Sequence, residues 1–165
     1  MSLIEYRLKR DFSKTNEPEA VAEKLSQQRY VIQKHQASHL HFDFRLEMMD
    51  ETTGEVVLKS WAIPKNIPLD KGVKHLAIQT EDHPVGYINY QGIIPEGSYG
   101  AGTVEIWDAG KWGLMRGSLE EGNMRFNLLG NQINGRYSMI MTRGYGKDEK
   151  DEKEYWLIWR NEEGV

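Results

Sequence analysis

Period-two alternation recurs along most of this chain and restricts the folds open to it. Eight segments read as strands: RYVIQKH, HLHFDFRLEM, GEVVLKSWAIP, HLAIQTEDHP, GTVEIWD, NMRFNLLG, GRYSMIMTR and EYWLIWRN. Gly, Asn, Asp or Pro separates them, as turns require. At least seven short strands in one domain-sized chain of 165 residues predict a mainly β fold, a single-domain closed or nearly closed β-barrel. The barrel is expected over 29–161. Residues 1–16 read as irregular. A short N-terminal helix is expected over 17–28, with Asn16 as its cap, Glu17 and Glu19 in the first turn, and Val21, Ala22 and Leu25 as its apolar stripe. The tract GKDEKDEKE reads as a solvated hairpin or loop.

Composition narrows the function classes. The chain has no cysteine, which removes disulfides, thiolate zinc sites and cysteine nucleophiles and fits a cytoplasmic protein. No run of ~18 apolar residues predicts a membrane span, and MSLIEYRLKRDFSK lacks the apolar core of a signal peptide. The net charge is −4, so global electrostatics do not draw in nucleic acid and any phosphate must be held by a local cluster of cations.

The stretch QKHQASHLHFDFRLE concentrates the chemistry. Strand side chains alternate, so His39, His41, Asp43, Arg45 and Glu47 share one face and Leu40, Phe42, Phe44 and Leu46 the other. The apolar face can bury against a core and leave the polar face to a cleft or the barrel interior. Same-face neighbours lie roughly 6–7 Å apart, which lets His41 and Asp43 converge on one metal ion. Either His35 or His39 can supply a third ligand. Two histidines and a carboxylate leave positions open for water or substrate. Arg45, one step along, suits an anionic group because its guanidinium grips two phosphate oxygens. Three further features stand apart from this strand. TEDHP supplies Glu81, Asp82 and His83; Lys59 lies between Val57 and Trp61 on its own face; and IPEGSYGAGTV has three glycines without a P-loop or dinucleotide fingerprint, so it reads as a tight connection into the next strand.

QKHQASHLHFDFRLE, LKSWAIPK, TEDHPVGY, GIIPEGSYGAGTVEIWD and the amino-terminal KRDFSKTNEPE occur in this order and together resemble the 3′-phosphoesterase module of bacterial DNA ligase D. The resemblance spans about residues 6–160. No polymerase or ligase sequence accompanies it, so the stand-alone bacterial or archaeal form is expected. The resemblance implies a β-barrel enzyme that removes a 3′-terminal ribonucleoside to leave a 3′-phosphate and then hydrolyses that phosphate to a 3′-OH. It implies a divalent metal, typically Mn²⁺, with Zn²⁺, Co²⁺ or Cd²⁺ able to take its place in a crystal. The implied metal ligands are His35, His41 and Asp43, with His39 a neighbour. The implied phosphate group comprises Arg45, Lys59 and His83, with Gln33, Glu81 and Tyr87 lining the site. Arg10, Asp11 and Glu17 are implied in the ribonucleoside-removing step. His75 stands where some relatives carry an arginine thought to help hold the phosphate, and Lys74 beside it points to the opposite strand face. The implied partner is a DNA primer–template ending in a 3′-ribonucleotide or 3′-phosphate, with a separate DNA ligase and polymerase of an end-joining system. The protein is expected to be a monomer acting at the nucleoid.

Two other readings compete. A His-x-Asp pair with a distal histidine also suits a non-haem Fe(II) oxygenase, with His83 as the third ligand. Alternatively, Trp61, Tyr87, Tyr90, Trp107 and Trp112 can stack bases in a non-catalytic nucleic-acid-binding barrel.

Overall fold

Alternation becomes strand wherever both faces find a place to go. The computed structural model describes residues 3–20, 26–142 and 153–161. Among the described residues there are nine strands: β1 Arg29–Gln36, β2 Leu40–Met49, β3 Val56–Ile63, β4 Lys74–His83, β5 Gly92–Ile94, β6 Gly102–Ser118, β7 Asn123–Gly130, β8 Asn134–Thr142 and β9 Tyr155–Arg160. All strand pairs are antiparallel. The order β1-β2-β3-β4-β9-β8-β7-β6, with β6 pairing back to β1, closes an eight-stranded barrel, and β5 adds to β6 outside the circle. Closure removes the unpaired edges an open sheet of this size would expose.

The segment GTVEIWD is only the beginning of β6, which runs 17 residues. Its first half pairs with β1 and β5 and its second half with β7. Gly110 sits at the crossover, where an added Cβ would lie 2.0 Å from the Leu129 carbonyl oxygen.

The barrel has two apolar layers. Inside, Tyr30, Ile32, Phe44, Leu46, Trp61, Phe126, Leu128, Tyr137, Trp156 and Ile158 form the main core. Outside the wall, Val31, Leu58 and Val104 meet Tyr6, Tyr87, Ile88, Tyr90 and Ile94 in a second core. This outer layer is built by the N-terminal arm and by the 3-10 turn Val85–Asn89. The arm carries α1, Leu3–Leu8, which buries Leu3 and Tyr6. Tyr6 donates its hydroxyl to the Pro18 carbonyl, tying the two ends of the arm together.

The helix therefore lies at Leu3–Leu8, in the segment expected to be irregular. Residues 17–20 and 26–28 are not helical, and 21–25 lie outside the described residues. Pro18 packs against Gly86, Glu17 is drawn inward by side-chain partners, and Gln28 has a φ of 51°. These tertiary contacts outweigh the local capping signal. Most of the GKDEKDEKE tract also lies outside the described residues.

Candidate metal centre

Cross-strand register assembles the centre. β1 and β2 form a hairpin in which His35 lies opposite His41, Gln33 opposite Asp43 and Val31 opposite Arg45. Directly opposed residues share a face, so His35 joins His41, Asp43 and Arg45 on the outer side of the wall, beneath the N-terminal arm. Phe42, Phe44 and Leu46 face inward. The polar face thus opens into an external cleft rather than the barrel interior.

The ligand atoms of His35, His41 and Asp43 all lie within 4.8 Å of one another. His35 Nδ1 is 3.3 Å from Asp43 Oδ2, and His41 Nε2 is 3.2 Å from Asp43 Oδ1. Atoms bound to one ion at ~2.1 Å stand roughly 3.0–3.4 Å apart. The other ring nitrogens are tethered. His35 Nε2 is 2.7 Å from the Gly100 carbonyl oxygen, and His41 Nδ1 is 3.1 Å from that of His39. Only an N–H can serve those carbonyls, which leaves His35 Nδ1 and His41 Nε2, the ring atoms nearest Asp43, to meet either the carboxylate or a cation. This outer support is what metal-binding histidines require. Burial opposes ionisation of Asp43, but Arg45 and the hydrogen bonds from both histidines outweigh it and hold the carboxyl well below the usual range. Burial also lowers His41, yet Asp43 raises it more. The donor set therefore fits a divalent cation, which would displace that proton on binding.

Arg45 stands next to the ligands. Its Nε donates to Gln33 Oε1 at 2.7 Å, Nη2 is 3.6 Å from Asp43 Oδ2, and the guanidinium lies 4.8 Å from the Tyr87 ring centre. Nη1 is buried with no hydrogen-bond partner. Gln33 is fixed in turn by donating to the Tyr87 and Tyr90 carbonyls, 3.0 Å each. It sits behind Arg45 and does not line the cavity.

From β4, His83 faces the same cavity. A bulge allows this. Ser60 pairs with Thr80 and Leu58 with His83, so two residues, Glu81 and Asp82, face the single Lys59. His83 Nδ1 lies 2.9 Å from the Glu81 carbonyl oxygen, and Nε2 lies 3.3 Å from Arg10 Nη2. Burial, together with Arg45 and Arg10, pushes His83 well below its usual value. It is a neutral imidazole, donating through Nδ1 and accepting through Nε2. Arg10 also binds Glu17 at 2.9 Å and Glu81 at 3.2 Å. Glu17 accepts from the Tyr87 hydroxyl at 2.7 Å. Arg10, Glu17, Glu81 and Tyr87 thus form one network around His83.

Besides Gln33, which was expected to line the site, three further expectations change. Lys59 does not reach this cavity. It pairs with Leu46 in register, which places it on the inner face, and its ammonium is held by Asp50 at 2.7 Å and Asp82 at 2.9 Å. Asp11 accepts from Ser13 and lines a smaller adjoining cavity rather than the metal cleft. His75 pairs with Ile158 at the far end of β4 and contacts the Asn66 carbonyl; neither it nor Lys74 lines the cleft. The sequence reading missed Gly100, whose carbonyl orients His35, and Tyr99, which lines both cavities. The glycine pattern of GSYGAG was the available signal.

The cleft has a volume of about 290 Å³ and is lined by Arg10, His35, His41, Asp43, Arg45 and His83 among others. The geometry disfavours the two other readings. His35, not His83, completes the ligand cluster. Trp61 and Trp112 are buried in the barrel, Tyr87 and Tyr90 in the outer core, and Trp107 packs on Phe42.

The family described as the DNA ligase D 3′-phosphoesterase domain matches residues 33–141. Similar full-length relatives are named multifunctional non-homologous end joining proteins LigD. That of Pseudomonas aeruginosa is 42% identical over 98% of this chain and 19% of its own length. The Mycobacterium tuberculosis relative is 44% identical over 92% of the chain and 20% of its own length. The Mycolicibacterium smegmatis relative is 39% identical over 86% and 19%. The chain spans about a fifth of the length of these relatives.

Proposed function

Because the chain belongs to the DNA ligase D 3′-phosphoesterase domain family, we propose that it heals 3′ ends of broken DNA strands. It removes a 3′-terminal ribonucleoside, leaving a 3′-phosphate, and hydrolyses that phosphate to a 3′-OH. Its substrate is a primer–template end, and it works beside the polymerase and ligase activities of an end-joining system in the cytoplasm. Among the described residues no helix is long and apolar enough to cross a membrane.

The observation that carries this reading is the buried, unpartnered Nη1 of Arg45 beside the His35–His41–Asp43 cluster. A buried donor without an acceptor is costly, and a phosphate oxygen in the cleft supplies the acceptor. His35, His41 and Asp43 would hold the metal, Mn²⁺ in this proposal, which when bound polarises a phosphate oxygen and stabilises developing charge. Arg45 grips the non-bridging oxygens, aimed by Gln33 and Tyr87. Arg10 fixes the His83 ring through Nε2. An anionic phosphate offsets the charges of Arg45 and Arg10 and draws Arg10 off Nε2, so His83 can then take a proton from solvent at Nε2 and pass it to the departing oxygen. Lys59 has no part in phosphate contact.

The test uses a labelled primer–template ending in one 3′-ribonucleotide, with purified protein and Mn²⁺. Shortening to a 3′-phosphate and then a 3′-OH is expected, and both steps are lost in His41→Ala. Absence of shortening with every divalent metal tried would overturn the proposal.

A further inference from the structure

The glycine-rich connection IPEGSYGAG has no role in the chemistry above except through the Gly100 carbonyl. Its geometry gives it a second one. Ser98 N–H bonds the Pro95 carbonyl and Ala101 N–H bonds the Ser98 carbonyl, each at 3.1 Å. Gly97 and Gly100, the third residues of these two turns, have φ values of 86° and 76°. That is the signature of two consecutive type II turns. The tandem turns lift one side chain, Tyr99, to the rim of the cleft.

Tyr99 differs from every other aromatic side chain near the centre. It is 49% exposed, whereas Tyr6, Tyr87 and Tyr90 are buried. It lines the metal cleft and also the adjoining cavity of about 130 Å³, which Arg10 shares. Cations hold it in place. The Lys9 ammonium lies 4.6 Å from the ring centre and 3.4 Å from the hydroxyl, and the Arg10 guanidinium lies 5.5 Å from the ring. Glu81 anchors both cations, Lys9 at 3.1 Å and Arg10 at 3.2 Å. The next residue, Gly100, touches a metal ligand. The ring is therefore held within about one nucleotide's reach of a phosphate at Arg45.

An exposed, cation-flanked aromatic ring beside a phosphate site is the arrangement that stacks a nucleobase without reading its identity. We propose that Tyr99, braced by Lys9, is the stacking platform for the nucleoside attached to the bound phosphate; this rests on the phosphoesterase reading. The ligand is a nucleobase of any sequence. It belongs either to the departing ribonucleoside or to the primer's last deoxynucleoside. The adjoining cavity, with the Asp11 carboxylate and the Lys14 ammonium on its wall, offers acceptors and donors to the attached sugar.

Two substrate pairs test the proposal. One pair ends in a single 3′-ribonucleotide, with its base present or replaced by an abasic ribose. The other ends in a 3′-phosphate, with the terminal deoxynucleoside base-bearing or abasic. The wild-type protein is expected to favour the base-bearing member in one pair by on the order of tenfold to a hundredfold in kcat/KM. Preference in the first pair assigns the departing nucleoside; preference in the second assigns the primer. Tyr99→Leu is expected to erase that preference and Tyr99→Trp to keep it. A preference that survives Tyr99→Leu, or no preference in either pair, overturns the platform. A turnover-free readout separates this outcome from failure of the phosphoesterase reading. A terminal 2-aminopurine should lose fluorescence on binding to the wild type and Tyr99→Trp proteins, but not to Tyr99→Leu. Quenching without cleavage would sink the enzyme and keep the platform. Cleavage without Tyr99-dependent quenching would do the reverse.

Discussion

Arg45 and Lys59 are buried cations on neighbouring strands, 3% and 4% exposed, and they serve opposite ends. Arg45 lies on the outer face of the wall, with its Nη1 unpartnered and a cleft in front of it. Lys59 lies on the inner face, at the end of the barrel, with two carboxylates closing around its ammonium. Burial raises the cost of each charge. What differs is how that cost is met. Asp50 and Asp82 leave Lys59 nothing to offer an anion, whereas the nearest carboxylate to Arg45 is Asp43, at a long 3.6 Å. A buried positive charge becomes a binding group only where its own fold leaves it incompletely neutralised.

The sharpest way to break the comparison is Lys59→Met. It strands two buried carboxylates and should cost about 3–5 kcal/mol in chemical denaturation. Adding Asp50→Asn and Asp82→Asn should recover much of that loss. A Lys59 that gripped phosphate would show no such recovery. Arg45→Met should instead leave stability nearly intact and cut kcat by roughly a hundredfold to a thousandfold. Mn²⁺ affinity, read by calorimetry, should persist, and Arg45→Lys should not rescue turnover because the two-pronged contact is lost.

A milder change probes what orients the metal ligands. Gly100→Ala places a methyl 3.4 Å from His35 Cε1 at a φ of 76°. Mn²⁺ affinity should weaken about tenfold, with about 1–2 kcal/mol of backbone strain seen on unfolding. The smallest effect concerns Glu47, which shares the Arg45 face but is saturated. It accepts from the Gln27 and Arg29 amides and from the Arg29 guanidinium. Burial raises its carboxyl, and these bonds lower it further, so the net shift is downward. Its stabilisation should be complete above the unfolded value near 4.3 and fade as pH falls through the lower folded value. Glu47→Gln should therefore cost about 1 kcal/mol at neutral pH, and denaturation curves of the two proteins should converge in acid.

Much of this was legible along the chain. Alternation in HLHFDFRLE placed His41, Asp43 and Arg45 on one face before any fold was known, because that relation depends only on the pleat. The third ligand was not settled by parity, since His35 and His39 both qualified. The β1–β2 hairpin sets His35 opposite His41, beside Asp43, and leaves His39 at the turn. The phosphate contact that the resemblance implies for Lys59 is not met by its position, and its neighbours Val57 and Trp61 reveal which residues share its face, not which way that face turns. The helix expected over 17–28 rests on a cap, first-turn acids and an apolar stripe, all local signals, while the arm's real anchors, Tyr6, Arg10 and Glu17, find partners on the outer face of the wall.

The sequence alone thus determined eight of the nine described strands in outline, the barrel class and the shared face of His41, Asp43 and Arg45. These follow from periodicities two or four residues long. Tertiary structure alone decided which side of the wall holds the site, how the β4 bulge brings His83 to it, and which buried cation stays available. It also decided that a glycine carbonyl and a rim tyrosine from a distant loop complete the centre. Those outcomes depend on register and closure between segments far apart in the chain, and no local pattern encodes the distance between two strands before they pair.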